Sequence, residues 1–485
     1  MNAVAHILRW PVRKADSLRH ALWTAQEIAQ ATGGKASGDF QVSGVEMDSR
    51  DVRSGDLFVA LIGEAMDGHK FVAKAYASGA VAALVDRPVD GPHVLVEDTS
   101  AAMSKLAVAA RLRAKAKIIG VTGSVGKTGV KEAIFASLEK CASGTAHRSV
   151  RSYNNHVGVP LSMARMPSRS TFGVFEMGMN HAGEIAELTE LVRPDVAVIT
   201  TIAPAHIENL GSEEAIADAK AEIFDGLAQG GMAVIPADSP HFERLRDAAL
   251  KAGAKVIGFG RSDAAEMRLL DSIADANGGS LVTASIEGQR LCYNVAEPGE
   301  HWVANSLCVM AAVYAAGGDL GAAGLALAGM GGLKGRGARL KVAVTGGSAL
   351  LVDESYNANP ASMRATLSQL AQTPATRRIA VLGSMKELGD FAPSFHANLS
   401  EPLLDANVDF AVLVGEEMNS LARELGKGLA GTVGKPLRFA QCENAGEAIA
   451  ALEEFGLTSG DVVLVKGSNS VGLSRLVAHF GSREG

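Results

Sequence analysis

The order of hydrophobic and polar residues along the chain predicts short strands that alternate with helices. We infer strands where apolar residues form short runs or alternate with polar ones, and helices where apolar residues recur every three to four positions. After residue 21 the predicted elements are a helix at 25–31, strands at 44–47 and 57–61, a helix at 72–78 and a strand at 81–85. They indicate a small α/β domain that ends near residue 88.

A second and larger α/β domain is predicted next. An amphipathic helix at 101–114 leads into a buried strand at 117–121. Later apolar runs at 173–175 and 196–201 end in polar residues. Helical segments separate these runs, as the crossovers of a parallel sheet require.

A glycine-rich segment at 329–337 precedes the third predicted domain. Its predicted strands alternate with helices and lie at 349–352, 378–382, 410–414 and 461–465. This pattern is typical of Rossmann-like winding. The predicted domains therefore span 1–88, with residues 1–20 as a loose extension, then 89–336 and 337–485.

Composition narrows the class of protein. A chain of 485 residues is too long for one core, and 47% hydrophobic with 20% charged residues is typical of a globular enzyme. The net charge of -7 provides no general basic surface, so neither nucleic acid nor an anionic membrane is an expected partner. Four widely spaced cysteines without metal or redox spacing indicate free thiols in a reducing compartment. Because we find neither a signal peptide nor a membrane-spanning stretch, we expect a cytoplasmic location.

The sharpest local motif is GVTGSVGKT at 120–128, between a predicted strand and a predicted helix. Backbone N–H groups of such a loop cradle phosphates, while the lysine reaches the terminal phosphates and the threonine binds Mg²⁺. Val121 stands where the strict pattern has glycine. The predicted phosphate-binding residues are Thr122, Gly123, Ser124, Val125, Gly126, Lys127 and Thr128. This P-loop alone is compatible with a kinase, a GTPase, a motor or a ligase.

Three further motifs favour one of these classes. They are EMGMNHAGEI at 176–185, AHIE at 205–208 and SYNANP at 355–360. Together with the P-loop, and in this order, they resemble the Mur ligase superfamily and within it the MurF family of UDP-N-acetylmuramoyl-tripeptide:D-alanyl-D-alanine ligases. The resemblance implies a three-domain α/β architecture with a central P-loop ATPase domain and a C-terminal Rossmann-like domain.

The resemblance also implies substrate contacts. In the N-terminal domain, Ser49 and Arg50 in DSR and Asp67 and His69 in DGH resemble the segments that hold the UDP end of the sugar nucleotide. A hydroxyl, an arginine and backbone amides suit a diphosphate. Further along the chain, the resemblance implies that Asn154 and Asn155 also bind substrate.

For the metal site, the resemblance implies two Mg²⁺ ions. Their protein ligands would be Thr128, Glu176, His206 and Lys220. Glu176 follows a predicted strand, where a carboxylate can hold Mg²⁺ between ATP phosphates. Lys220 would be carbamylated, which turns a cation into a carboxylate-like ligand.

The remaining nucleotide contacts implied by the resemblance lie after residue 300. They are His301, Asn305, Arg336, Asp353 and Asn357. Trp302 stands where the family usually has asparagine, and Asn469 where it usually has arginine. Because Arg336 interrupts the glycine-rich segment, we predict a hinge that brings it onto the γ-phosphate as domains close.

By resemblance, the catalytic residues are Lys127, Glu176, His206, Lys220 and Arg336. The reaction would join D-alanyl-D-alanine to UDP-N-acetylmuramoyl-tripeptide through an acyl phosphate made from ATP, and a monomer is expected. A MurE-type or folylpolyglutamate synthase-like ligase is the nearest alternative, but NANP at 357–360 favours MurF. A simple P-loop kinase or GTPase and a silent scaffold are the alternatives from other classes.

Overall fold

The computed structural model describes residues 21–63, 66–275, 278–428 and 437–482. The predicted extension at 1–20 lies outside them. The described chain divides into two compact units. One contains the residues up to Arg113 together with 163–168, and the other contains 114–162 and the chain from Arg169 onward.

The first unit is built around a mostly parallel sheet in the strand order β2-β7-β6-β5-β4, beside a separate antiparallel pair, β1-β3. Its elements are β1 (Trp23–Thr24), α1 (Ala25–Thr32), β2 (Lys35–Ala36), β3 (Gln41–Val42), β4 (Gly44–Glu46), β5 (Asp56–Val59), α2 (Val72–Ala77), β6 (Ala82–Val85), β7 (His93–Leu95) and α3 (Thr99–Arg113). Helix α1 begins at a capping box, in which Thr24 and Glu27 satisfy each other's backbone N–H groups. Since α3 packs on α1, this unit extends past residue 88, the predicted domain end.

The first half of the second unit is a larger sheet in the strand order β16-β15-β14-β13-β12-β11-β8-β10-β9. Neighbouring strands from β14 to β9 in this order are parallel. Strands β14, β15 and β16 form an antiparallel meander. The elements are β8 (Lys117–Thr122), α4 (Lys127–Ala142), β9 (Ala146–Arg148), α5 (Gly158–Ala164), β10 (Phe172–Glu176), α6 (Glu184–Val192), β11 (Val196–Ile199), α7 (Ile207–Leu210), α8 (Glu213–Ala221), β12 (Met232–Pro236), α9 (Phe242–Lys251), β13 (Lys255–Gly260), β14 (Met267–Ala274), β15 (Ser280–Ile286), β16 (Gln289–Val295), α10 (Glu300–Ala315) and α11 (Leu320–Ala328).

Strand β8 lies between β11 and β10, and both neighbours are parallel to it. The carboxyl ends of three strands therefore meet at one edge of the sheet, where ligands of parallel α/β sheets bind. The P-loop follows β8, Glu176 ends β10, and the segment that leads to His206 follows β11. This topology brings three separate sequence motifs to one place.

The C-terminal part of the second unit forms its own sheet, in the order β17-β18-β22-β19-β20-β21. Only β17 is antiparallel to its neighbour among these described strands. The elements are β17 (Ala338–Val344), β18 (Gly347–Glu354), α12 (Pro360–Gln372), β19 (Arg378–Gly383), α13 (Ala392–Ala397), α14 (Ser400–Asp405), β20 (Phe410–Val414), α15 (Asn419–Gly428), β21 (Arg438–Cys442), α16 (Ala445–Phe455), β22 (Val462–Lys466) and α17 (Ser474–Gly481). The predicted α/β class, with a P-loop sheet followed by a Rossmann-like sheet, is confirmed.

Within the described ranges, we find no helix that is both long and apolar enough to cross a membrane. The four cysteines are free thiols.

Candidate nucleotide and metal site

The P-loop joins a fully buried strand end to the first turn of α4. Two of its glycines have left-handed backbone angles, with φ of 142° at Gly123 and 86° at Gly126. A Cβ at Gly123 would clash with Thr200 Oγ1, and one at Gly126 would lie 3.0 Å from Asn305 Oδ1. Both positions therefore require glycine for conformation and for space.

The loop is tied to the end of the neighbouring strand β11. Ser124 Oγ donates a hydrogen bond to Ala203 O at 2.8 Å, and Thr200 Oγ1 donates to Val125 O at 2.5 Å. The hydroxyl of Thr122 is completely buried, so we expect this residue to shape the loop from beneath. These contacts hold the loop in one conformation before any phosphate arrives.

Lys127 is the electrostatic centre of the site. Its Nζ donates to Gly123 O at 2.6 Å, as part of the loop itself. Burial of the ammonium lowers the pKa of Lys127, and Arg336 lowers it further, while Glu176 and Glu387 oppose the shift. Lys127 thus lies within electrostatic range of Glu176 at the end of β10 and of two residues beyond residue 330.

Glu176 is fully buried and its carboxylate is held by two side chains. Thr128 Oγ1 donates to one oxygen at 2.8 Å, and Asn154 Nδ2 donates to the other at 2.9 Å. The predicted metal residues Thr128 and Glu176 are therefore in direct contact. Asn154, which we predicted to bind substrate, contacts this carboxylate, while Asn155 Oδ1 accepts from Gly158 N at the start of α5.

A buried lysine that the sequence did not single out, Lys131, stabilises the segment before Asn154. Lys131 donates hydrogen bonds to Ser149 O at 3.1 Å and Arg151 O at 2.7 Å, and its Nζ lies 2.7 Å from Glu132 Oε1. It therefore braces the segment that leads to Asn154. A signal existed in the sequence, since Lys131 shares the buried face of α4 with Ile134, three residues on.

Arg336 reaches the same network from the glycine-rich segment. Its Nη2 donates to Ser152 Oγ at 3.1 Å, and that hydroxyl lies 3.2 Å from Thr128 Oγ1. The guanidinium also stacks 4.3 Å from the ring centroid of Tyr356. Ser152 is a second residue that the sequence reasoning missed, because nothing in the local pattern singles out this serine.

Asp353 is buried and its carboxylate fixes the turn that carries Arg336. It accepts from Gly335 N at 2.8 Å, from Ser355 Oγ at 2.6 Å and from Ser355 N at 3.1 Å. In this structure the segment predicted as a hinge forms a turn that is hydrogen-bonded to Asp353. The sequence predicts that Asp353 binds the nucleotide, whereas in the structure its carboxylate already accepts three protein hydrogen bonds.

His301, Asn305 and Trp302 all project from the first turns of α10. Asn305 lies against Gly126, and a Cβ at Gly129 would lie 3.1 Å from the Trp302 ring. Burial lowers the pKa of His301 to about 4, with a smaller contribution from Lys466. The structure therefore brings Asn305 to the P-loop, and Trp302 packs on α4 where the family usually has asparagine.

Lys466 is a further buried cation that faces this region. Its Nζ donates to Asn357 O at 3.0 Å and to Glu354 Oε2 at 3.4 Å. Burial lowers the pKa of Lys466, while Glu354 opposes the shift and Arg336 adds to it. Asn357, which we predicted to bind nucleotide, uses its own Oδ1 to accept from Ala358 N.

Lys220 lies on α8 and is only 1% exposed. Burial lowers its pKa well below the ordinary value for lysine, and the nearby charge of Lys127 lowers it further, whereas Glu222 opposes the shift. A lysine in such surroundings favours the neutral amine.

His206 lies at the start of α7, and its Nδ1 is 2.5 Å from Glu387 Oε2. The two atoms are close, but this buried nitrogen has no well-aligned hydrogen-bond partner among the described residues. Among residues 21–63, 66–275, 278–428 and 437–482, we find no group of three His, Cys, Asp or Glu side chains that could hold a metal ion by themselves.

The candidate substrate residues of the first unit are engaged with their neighbours. Arg50 is exposed and forms an ion pair with Asp48, with 2.5 Å between Arg50 Nη2 and Asp48 Oδ2. Asp67 Oδ1 accepts from His69 N at 2.9 Å and lies 2.8 Å from His69 Nδ1. These hydrogen bonds lower the pKa of Asp67 to about 2. Ser49 is buried in the same unit.

The fold and this site define a P-loop nucleotide-binding protein in which two residues from beyond the P-loop sheet, Arg336 and Glu387, lie within electrostatic range of Lys127. Profiles of three Mur ligase domains match the chain. They are the Mur ligase family catalytic domain at 41–122, the Mur ligase middle domain at 121–313 and the glutamate ligase domain at 338–469.

Named relatives narrow the assignment. The UDP-N-acetylmuramoyl-tripeptide–D-alanyl-D-alanine ligase of Synechocystis sp. is 35% identical over 92% of this chain and 93% of its own length. The crystal structure of MurF from Acinetobacter baumannii has a TM-score of 0.80 at 28% identity, covering 95% of this chain and 99% of that one. MurF ligase from Thermotoga maritima, solved in complex with ADP, has a TM-score of 0.72 at 25% identity, covering 91% and 97%. The chain belongs to the MurF family of Mur ligases.

Proposed function

We propose that this protein joins D-alanyl-D-alanine to UDP-N-acetylmuramoyl-tripeptide with ATP, in the synthesis of the peptidoglycan precursor. The observation that carries the proposal is similarity over nearly the whole chain to relatives of that name. The site geometry supports it, because the P-loop, a buried carboxylate and an arginine from the next segment meet at one sheet edge. The expected monomer stays a prediction.

In the proposed reaction, the terminal carboxylate of the tripeptide attacks the γ-phosphorus of ATP. A new O–P bond forms as the P–O bond to ADP breaks, giving an acyl phosphate. The amine of D-alanyl-D-alanine then attacks the acyl carbon, loses a proton and expels phosphate, which leaves an amide. Lys127 and Arg336 stabilise negative charge on the transferred phosphoryl group, and the P-loop amides hold the phosphates.

Thr128, Glu176, His206 and Lys220 would hold Mg²⁺. When bound, Mg²⁺ would neutralise charge on the phosphate oxygens. One observation fits such a site: the Thr128 hydroxyl donates to the Glu176 carboxylate, so two of the predicted ligands are already in contact. We propose two ions, as the sequence predicts.

We further propose that Lys220 is carbamylated. Its burial and lowered pKa favour the neutral amine, which can attack CO₂. An N–C bond forms, the nitrogen loses a proton, and the product is an anionic carbamate. This change would place an anion able to bind Mg²⁺ beside Lys127.

The substrate and nucleotide residues predicted from the sequence belong to this proposal. Ser49, Arg50, Asp67 and His69 would contact the UDP-sugar, and His301 and Asn305 the base side of ATP. Asn154 would act by orienting Glu176, because its amide donates to that carboxylate. Asp353 would act by fixing the Arg336 turn, because it accepts from Gly335 N.

ADP release tests the proposal most directly. We expect release only when ATP, Mg²⁺, UDP-N-acetylmuramoyl-tripeptide and D-alanyl-D-alanine are all present, with the ligated product seen by mass spectrometry. ADP release without the dipeptide, at the full rate and in repeated turnovers, would instead indicate a kinase or an ATPase. Replacing the UDP-linked tripeptide by a UDP-linked dipeptide, and D-alanyl-D-alanine by single amino acids, tests the MurE-type alternative, in which the ligase forms the tripeptide.

A further inference from the structure

His206 and Glu387 come from different sheets of the second unit and meet beside the P-loop. His206 follows β11, whereas Glu387 lies in the loop after β19, four residues beyond Gly383. Their side chains approach to 2.5 Å between Nδ1 and Oε2. Glu387 is also within electrostatic range of Lys127. A residue of the C-terminal sheet therefore touches a predicted metal ligand of the P-loop sheet.

Both residues have a backbone conformation that is rare for a residue with a side chain. The φ angle is 60° at His206 and 64° at Glu387. Left-handed angles at non-glycine residues persist only where the surrounding structure imposes them, and they cluster at functional sites. Here two such residues contact each other, which indicates that the contact is built into the fold.

The loop that carries Glu387 is fixed on both sides. His396 is buried, and its Nε2 accepts from Met385 N at 2.9 Å, while its Nδ1 donates to Ala392 O at 2.7 Å. On the other side, Lys386 N donates to Ser468 Oγ at 3.1 Å, and the Lys386 side chain pairs with Glu417. The position of Glu387 is therefore set by the C-terminal sheet and its helices.

The same loop also approaches the backbone of α7. Glu208 N points to Glu387 O at 3.5 Å, and a Cβ added at Gly389 would lie 3.1 Å from Glu208 Cγ. Gly389 itself has a φ of 52°. A larger residue at this position would push the loop away from α7, so the close approach depends on glycine.

The chemistry of the contact fixes the imidazole. An ionised carboxylate such as that of Glu387 can only accept a hydrogen bond, and its Oε2 lies 2.5 Å from Nδ1 of His206. The ring nitrogen that faces it, Nδ1, must then carry the hydrogen. In a neutral ring this leaves the lone pair on Nε2, which is the form of histidine that binds a cation.

We propose that Glu387 is a positioning residue for His206: by holding Nδ1, the C-terminal sheet sets the tautomer and orientation in which Nε2 binds the cation of the ATP site. The inference rests on the proposed function for the presence of that cation. It means that the cation site is complete only while the Glu387 loop lies against α7, so the position of the C-terminal sheet controls metal binding at the P-loop.

Mn²⁺ binding to the full chain tests the inference. The probe is Mn²⁺ titrated in the presence of saturating ADP, with free Mn²⁺ followed by electron paramagnetic resonance. We expect Glu387→Ala to weaken one class of Mn²⁺ site about tenfold, the lower end of what loss of such a partner costs. Glu387→Gln keeps an oxygen that accepts from Nδ1, so we expect it to stay within about threefold of the wild type.

Asp390→Asn is the matched control. It removes an exposed carboxylate three residues along the same loop, and we expect Mn²⁺ binding equal to that of the wild type. Thermal unfolding of each variant confirms that it is folded. An Ala variant whose Mn²⁺ isotherm superimposes on that of the wild type would overturn the inference.

A second outcome would also overturn it. If Glu387→Gln weakens Mn²⁺ as much as Glu387→Ala does, then Glu387 is itself a metal ligand and does not act through His206. The ADP-release assay on the wild type keeps the two proposals apart. If the wild type ligates normally but Glu387→Ala binds Mn²⁺ like the wild type, only the inference is wrong. If the variants show the expected Mn²⁺ affinities but the wild type does not ligate, only the proposed function is wrong.

Discussion

Replacing Lys131 by methionine tests whether a buried cation holds the segment beneath the nucleotide site. Lys131 is completely buried on α4, and its ammonium donates to Ser149 O and Arg151 O at 3.1 and 2.7 Å. It also lies 2.7 Å from Glu132 Oε1. Methionine keeps the apolar stem and most of the volume, so Lys131→Met removes the charge and the donors without opening a large cavity.

The contacts set the expected size of the effect. A hydrogen bond from a charged donor contributes about 1.5–3 kcal/mol, so the two bonds to carbonyl groups would total about 3–6 kcal/mol. Removing the ammonium also removes the desolvation penalty of burying it, which offsets part of the lost hydrogen-bond free energy. Glu132 keeps a partner, because Arg148 Nε lies 2.8 Å from its other oxygen. We therefore expect a loss near the lower limit, about 3 kcal/mol in the free energy of unfolding.

Thermal and denaturant unfolding of the variant measure this loss. At about 2–4 °C per kcal/mol for a domain of this size, the melting temperature should fall by about 6–12 °C. Lys140→Met is the control, since Lys140 is exposed on the same helix, and we expect a change of less than about 0.5 kcal/mol. A loss below about 1 kcal/mol in Lys131→Met would refute the reasoning, because the two carbonyl contacts would then contribute nothing measurable.

Two further changes test the site itself, and a third tests a buried carboxyl group elsewhere in the second unit. Lys127→Ala should abolish ligation and leave the melting temperature nearly unchanged, and near-normal turnover by the folded variant would contradict the P-loop assignment. Lys220→Ala should be inactive and recover part of its activity with added short carboxylic acids, whereas full activity without an additive would exclude the carbamate. Burial raises the pKa of Glu297 to about 7, against the opposing effect of Arg339, so the folded state holds a proton that the unfolded state releases above about pH 4.5. Stability from this group therefore falls as pH rises from about 4.5 to 7, and Glu297→Gln should raise the melting temperature at pH 8 but not at pH 4, a difference that pH-dependent unfolding would detect.

The elements that the sequence predicts well are those with a local signature. The helix predicted at 25–31 is observed as Ala25–Thr32, and the strand predicted at 410–414 is observed as Phe410–Val414. The helix begins directly after a threonine cap and the strand is an unbroken apolar run, so both have a clear boundary. The strand predicted at 196–201 ends earlier, at Ile199, because the next two threonines turn away to bind the P-loop and its neighbours.

Other elements lacked such a signature. The meander of β14, β15 and β16 was not predicted, because its strands have exposed faces and their apolar residues alternate weakly. Its position at the edge of the parallel sheet depends on pairing with β13, which no local pattern reveals. The pairing between strands, and not the periodicity within each one, therefore decides this part of the fold.

The same limit applies to the site. The sequence places Thr128 and Glu176 in one site through the family resemblance, and the structure shows them in contact. Ser152 and Glu387 carry no motif of their own, and their roles depend on Arg336 and His206, which lie far away in the chain. Only the fold shows which carbonyl, carboxylate or ring nitrogen each one meets.

The two sheets of the second unit have separate hydrophobic cores, and this bears on the predicted closure. The central core cluster draws its described residues from 119–327, and the C-terminal cluster draws its own from 342–480, so the two share no residue. The described contacts that join the sheets near the P-loop are polar: Arg336 to Ser152 and His206 to Glu387. Polar groups released into water find new partners there, whereas opening a shared apolar core would cost about 25 cal/mol for each Å² exposed. We therefore predict that the nucleotide site opens and closes by movement about the Arg336 turn, and a radius of gyration that stays the same on binding an ATP analogue and the UDP-sugar tripeptide would contradict this prediction.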